Sequence, residues 1–108
     1  MKRALPVIDP EALRGAASQA VGALKLLANE DRLLLLCQLS QGEMCVSDLE
    51  EALGIHQPTL SQQLGVLRGE GVVQTRREGR TIFYRVSDPA MLEILSLLYR
   101  LYCPKEDR

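Results

Sequence analysis

Apolar positions between Leu13 and Leu27 recur at intervals of three and four, through Leu13, Ala16, Ala17, Ala20, Val21, Leu24 and Leu27. That period predicts an amphipathic helix, and Asp9-Pro10-Glu11 supplies its start: an aspartate cap, a proline in the first turn and an acid near the positive end of the dipole. The stripe is narrow and rich in alanine, so another helix can approach closely, from the same chain or from a second copy. A second helix is predicted from an Asn29 cap to about Ser40, carrying Leu33-Leu34-Leu35-Leu36-Cys37 and stopped by Gly42. Ser47-Asp48-Leu49-Glu50 has the form of a capping box opening a short third helix, which Gly54 ends.

After the tight Gly54-Ile55-His56 connection, Gln57-Pro58-Thr59 opens a fourth helix with Pro58 in its first turn, where a missing N–H costs little. Leu60, Leu64 and Leu67 are predicted to face inward. Pro58, Ser61, Gln62 and Gly65 then point outward, with Gln57, Thr59, Gln63 and Arg68 on the flanks. Two short helices joined by a tight turn suggest helix-turn-helix, and small polar side chains of this kind suit a helix lying in a major groove. Gly65 hints at close approach there, since glycine in a helix interior costs roughly 1 kcal/mol against alanine.

Gly71 breaks this helix, and Val72 to Arg77, a Glu78-Gly79 turn and Arg80 to Val86 read as a β-hairpin, from β-branched and aromatic residues on both arms. Arg76, Arg77 and Arg80 at its tip would reach phosphates or the adjacent minor groove; the plainer reading is that they solvate an exposed ribbon. Asp88-Pro89 opens a last helix to about Cys103, with Leu92, Leu95, Leu98 and Tyr102 on one face, Met91, Ile94 and Leu101 beside them, and Pro104 as the stop. The predicted fold is therefore mainly α with a β-hairpin wing: a winged helix-turn-helix of four helices, hairpin and final helix. So broad an apolar surface exceeds what one small core covers, which predicts a homodimer through the first and last helices. Such a dimer would read an inverted repeat in double-stranded DNA, one recognition helix per half-site.

At 108 residues and 46% apolar content the chain fits one domain, with 1–8 and 104–108 expected as short tails. The net charge of −1 lowers the odds of a nucleic-acid partner, but the distribution restores them: Gln57 to Val86 holds five arginines against two glutamates. Three cysteines, an odd count, argue against a secreted disulfide framework, and no leader-like segment precedes Asp9, so the cytosol is the expected compartment. No apolar run approaches the roughly 18 to 20 residues that cross a bilayer.

Cys37 and Cys103 lie 66 positions apart, each at the end of a strongly apolar helical stretch. Cys37 falls at the margin of its helix's apolar face, a setting for a half-buried, reachable thiol; inert burial is the alternative.

Leu26-Leu27-Ala28-Asn29-Glu30-Asp31-Arg32-Leu33, Gly42 to Leu49, Gln57 to Arg68 and Glu70-Gly71-Val72-Val73 together resemble the ArsR/SmtB family of winged-helix repressors over nearly the whole chain. Leu36-Cys37 and Tyr102-Cys103 resemble its BigR/SqrR/HlyU-like branch, whose members sense reactive sulfur or redox state through a cysteine pair. The resemblance implies a repressor that loosens from operator DNA when Cys37 and Cys103 are joined directly or through added sulfur, with a persulfide, polysulfide or oxidant as inducer and no cofactor. Arsenite sensors of the family carry Cys-Val-Cys where this chain reads Cys45-Val46-Ser47, so the motif is half present. Cys37, Cys45 and Cys103 could still hold a soft ion such as As(III). Zinc sensors place histidine on the last helix; the one histidine here, His56, falls in the helix-turn-helix connection. A thiol peroxidase or sulfurtransferase, or a winged helix turned to protein contact, are the readings from other classes; no His, Asp or Lys is arranged in sequence to activate a thiol.

Overall fold

The computed structural model describes residues 9–104, so the tails expected at 1–8 and 105–108 lie outside the described residues. Helix α1 (Pro10–Leu27) is started by the Asp9 carboxylate, which accepts from the backbone N–H groups of Glu11 and Ala12 at 3.1 and 3.3 Å. Only Leu26 of α1 is buried; Leu13, Val21 and Leu24 stay 51%, 47% and 59% exposed. Helix α2 (Glu30–Ser40) is capped by Asn29, whose Oδ1 accepts from the Arg32 N–H at 3.0 Å. Leu35, Leu36 and Leu39 of α2 are sunk in the core.

Strand β1 (Met44–Cys45) leads directly into α3 (Val46–Leu53), and α4 (Thr59–Gly69) follows. Strands β2 (Val73–Glu78) and β3 (Thr81–Val86) form the hairpin, and α5 (Pro89–Tyr102) closes the described chain. The sheet is antiparallel in the order β1-β3-β2, with Met44 opposite Tyr84 and Thr75 opposite the same Tyr84 on the other side. Leu49 of α3, Leu60, Leu64 and Leu67 of α4 and Met91 and Leu95 of α5 close on the α2 leucines to make one core. Among the described residues, no helix is long and apolar enough to cross a membrane.

The predicted element order holds, with four local differences. β1 was not expected: two residues carry no period, and only pairing with β3 makes them a strand. That pairing holds Cys45 extended, so α3 begins at Val46 with Cys45 as its cap. Ser47 therefore lies inside the helix, and the Ser47–Glu50 capping box does not form. Pro58 precedes α4 as its cap residue and is not within the first turn. The hairpin slips by one: Val72 is held in the helix exit by its N–H to the Leu67 carbonyl at 3.3 Å, and the loop is Gly79-Arg80, with Glu78 opposite Thr81 and Gly79 at φ 64°. A first loop position with positive φ is what glycine supplies at no steric cost.

Because Leu35 is fully buried on the helix that the other elements share, Leu35→Ala is expected to lower unfolding stability by about 2–5 kcal/mol through lost transfer energy and the cavity left behind. The check is a shift of the urea midpoint with the slope unchanged.

Candidate nucleic-acid interface and thiol pair

The connection between α3 and α4 turns on Gly54, whose left-handed backbone (φ 69°) lets its N–H reach the Glu50 carbonyl at 2.8 Å. Buried Ile55 pins the turn, and exposed His56 ties it to α3 through Nδ1 and the Glu50 Oε2 at 3.2 Å. With Leu60, Leu64 and Leu67 inside, α4 offers solvent a face of Ser61, Gln62, Gly65 and Arg68, while Thr59 is half-buried. No atom of the chain lies within 4 Å of a methyl group built on Gly65, so the bare backbone there is open to the outside.

Two of the predicted reading side chains are partly committed inside the protein. Gln57 Oε1 accepts from the Ser61 N–H at 3.1 Å and so caps α4 in place of Pro58, which has no donor or acceptor to offer in its ring. Gln63 is half-buried, and its Oε1 accepts from the Arg32 guanidinium at 3.0 Å.

The predicted wing arginines separate into two kinds. Arg76 is held by Glu43, with Nε to Oε2 at 2.8 Å and Nη2 to Oε1 at 2.7 Å, and lies 4.6 Å over the Phe83 ring. The Arg76 hydrogen bond pulls the Glu43 carboxyl below its ordinary range, so this tie is complete at neutral pH. Arg76 thus spends its charge on the body of the protein. Arg77 and Arg80 are exposed and, with Arg68, form no ion pair among the described residues.

On the far side of α2 the structure draws Cys37 and Cys103 toward each other. Cys37 is half-buried where α2 meets α5; Cys103 is the exposed cap residue of α5, its N–H bonded to the Tyr99 carbonyl at 3.0 Å. Burial pushes the Cys37 thiol up, and the charge of nearby Cys103 pushes it further. Cys37 opens onto a recess of about 270 Å³ lined also by Ser40, Gln41, Leu92, Leu95, Ser96 and Tyr99. No histidine, lysine or carboxylate lines it.

Cys45 sits elsewhere, at the β1–α3 junction beside Arg80, Thr81 and Ile82, with its Sγ 3.4 Å from the Ser47 Oγ. Among the described residues, no three His, Cys, Asp or Glu side chains gather to hold a metal, so one chain does not bring Cys37, Cys45 and Cys103 together. The three-thiol ion site considered above fails on this separation: α2 and α5 carry one pair, and the edge strand carries the third.

Residues 29–75 match the model of the bacterial regulatory protein arsR family. The biofilm growth-associated repressor of Agrobacterium fabrum is 47% identical over 96 residues, covering 89% of this chain and 82% of that protein. The transcriptional activator HlyU of Vibrio cholerae is 44% identical over 87 residues, 81% of each chain. The crystal structure of the transcriptional repressor BigR from Xylella fastidiosa superimposes with a TM-score of 0.83 at 42% identity, over 91% of this chain and all of that one. The chain belongs to the ArsR family. The resemblance read from Leu26 to Val73 is thereby established, and so is the winged-helix fold; the matched proteins are regulators by name, not enzymes.

What sequence reasoning missed in this ArsR-family site is contact across long separations. Glu43 reaches Arg76 and Arg32 reaches Gln63, 33 and 31 residues away, and no local pattern announces either pair. The thiol electrostatics give a direct prediction. In Cys103→Ser the Cys37 thiol should titrate at lower pH than in the wild type, since the neighbouring charge is gone. It should stay above an ordinary thiol, since burial is the larger cause. Alkylation rate of Cys37 against pH, followed by peptide mass, measures both.

Proposed function

We propose that the chain is a cytosolic, homodimeric repressor that grips an inverted-repeat operator while Cys37 and Cys103 are reduced and loosens when the two are joined. The observation that carries this reading is the pair of thiols drawn together across α2 and α5, one half-buried over a recess and one exposed, in a chain whose opposite side is a helix-turn-helix and wing. α4 enters the major groove with Thr59, Ser61, Gln62 and Arg68 toward the bases and phosphates. Gln57 and Gln63 help through their free amide N–H groups and by holding α4, Pro58 packs beside the backbone, and Arg77 and Arg80 reach phosphates. Arg76 contributes less, being already paired.

A second copy of the chain is the natural cover for the apolar surface left open. α1 exposes Leu13, Val21 and Leu24, and α5 exposes Leu92, Leu97, Leu101 and Tyr102. Between α1 and the start of α5 runs a groove of about 640 Å³, floored by Ala16, Ala20, Ala23 and Ile94. Small side chains along α1 let a partner helix come close.

The chemistry follows from the unequal settings of the thiols. Exposed Cys103 is the first to attack: its thiolate takes the outer sulfur of an organic persulfide, RSSH, giving Cys103-SSH and releasing RS⁻. The Cys37 thiolate then attacks the inner sulfur, forming a disulfide and expelling HS⁻. If Cys37 has itself become a persulfide, Cys103-SS⁻ attacks its inner sulfur instead, giving a trisulfide and again HS⁻. An oxidant reaches the disulfide through a sulfenic acid on Cys103, with water leaving as Cys37 closes the bond. A direct disulfide needs Cα atoms within about 7 Å, and added sulfur tolerates a wider gap. Joining α2 to α5 shifts the dimer helices relative to α4, and a change of only about 1.4 kcal/mol alters operator affinity roughly tenfold.

Intact-mass spectrometry after an organic persulfide, and separately after diamide, on wild type, Cys37→Ser, Cys45→Ser and Cys103→Ser tests the sensor. A Cys37–Cys103 link in wild type and Cys45→Ser, with weakened operator binding, is expected; response lost in Cys45→Ser but kept in Cys37→Ser would sink the assignment. Steady-state turnover of persulfide or peroxide would instead make the chain an enzyme. For the interface, Arg77→Ala or Arg80→Ala should each flatten the slope of log affinity against log salt by about 0.9, the value for one phosphate contact. Arg76→Ala should change it less. Glu43→Gln, by freeing Arg76, should steepen it.

A further inference from the structure

Arg32 stands at the start of α2, half-buried, and its guanidinium makes three hydrogen bonds in three directions. Nε donates to the Leu26 carbonyl at 2.9 Å and Nη2 to the Lys25 carbonyl at 3.1 Å, both in the last turn of α1. Nη1 donates to Gln63 Oε1 on α4 at 3.0 Å. The last four carbonyls of a helix lack partners within it, and they form the negative end of its dipole, so a cation donating to two of them closes that end on both counts. The third arm leaves α1 altogether and fixes the α4 side chain whose neighbours face outward.

We propose that Arg32 is a positioning residue for operator recognition: it fixes the angle between α1 and α4, and through α1 the separation of the two recognition helices in the dimer. The inference rests on the reading above, in which α4 enters the groove and α1 belongs to the subunit contact. A planar fork with five N–H donors can hold two carbonyls and an amide oxygen at once. A lysine ammonium at the end of a flexible stem cannot keep that geometry, even though it keeps the charge. It also follows that Gln63 acts through Arg32 and does not read a base with its carbonyl oxygen.

The test uses the full chain throughout. Wild-type protein selects its duplex from a randomised library, and the affinity of wild type, Arg32→Lys, Gln63→Met, Gln63→Glu and the Arg32→Lys/Gln63→Met double variant is measured on that duplex. The same proteins are measured on versions with one base pair added to or removed from the centre, together with thermal melts. One hydrogen bond to a charged group is worth roughly tenfold in an equilibrium. Arg32→Lys and Gln63→Met should therefore each lose about tenfold on the selected duplex and much less on the altered spacings, so that spacing preference shrinks. The double variant should be no worse than Arg32→Lys alone. Gln63→Glu should keep the spacing preference, because a carboxylate accepts from Arg32 still more strongly, while binding every duplex more weakly. Wild-type spacing preference in Arg32→Lys, or an equal loss on every duplex in step with a lower melting temperature, overturns the proposal. So does a changed base preference in Gln63→Glu, which would make Gln63 a reader. If the wild type enriches no duplex at all, the functional reading falls, and this proposal with it.

Discussion

Burial of one short helix organises the molecule. α2 packs against α1, α3, α4, α5 and β3, and Leu35 and Leu36 are completely removed from water. A helix with partners on every side must be apolar around most of its circumference, which is why Leu33 to Leu36 are four leucines in a row. The consequence is that anything acting on α2 acts on all its neighbours, since a close-packed interior transmits displacement and does not absorb it. Cys37, Arg32 and Ser40 are the polar or reactive positions that α2 places at the seams of this packing.

Charge is sorted by the fold in a way that a net value of −1 conceals. The arginine surplus between Gln57 and Val86 is not a uniform basic face, because Glu43 from outside that window neutralises Arg76 and the Phe83 ring flanks it. Arg85 likewise turns to Gln74, 2.5 Å away on the neighbouring strand. What remains free for a polyanion is Arg68 on α4 and Arg77 and Arg80 at the hairpin tip. In the proposed reading, three cations at the two ends of one surface set register on the phosphates, and the polar side chains between them carry sequence selectivity.

Elements with a long period were legible in the sequence, and so was the family. The starts of α1, α2 and α5 lie in local caps, Asp9, Asn29 and Asp88, and each was read correctly because the cap and its target N–H groups are two or three residues apart. β1 was invisible because a two-residue strand has no alternation to detect, and its partner β3 lies about forty positions further on. The same omission misplaced the start of α3, since Ser47 fits a capping box only if nothing holds Cys45 extended. On α4 the outward face was read from the leucine spacing alone. The spacing could not show that Gln57 and Gln63 already have partners, because one bond depends on Pro58 falling outside the helix and the other on a residue of α2.

The thiol pair and the arginine clamp occupy the same helix, and their spacing matters for how a covalent event could reach DNA. Five residues separate Arg32 from Cys37, which on an α-helix is about 7.5 Å along the axis and roughly 140° around it. The two therefore address different neighbours: Cys37 meets α5 and its recess, while Arg32 meets the end of α1 and Gln63 of α4. A link to Cys103 pulls on one side of a rigid rod whose other side holds the recognition helix by a charged hydrogen bond. Turning or sliding α2 by a fraction of an ångström lengthens that bond at little cost to the leucine core, because hydrogen bonds fall off with angle and distance far more steeply than apolar contact does. In the proposed switch, the core supplies the stiffness and the Arg32–Gln63 bond is the joint that gives way.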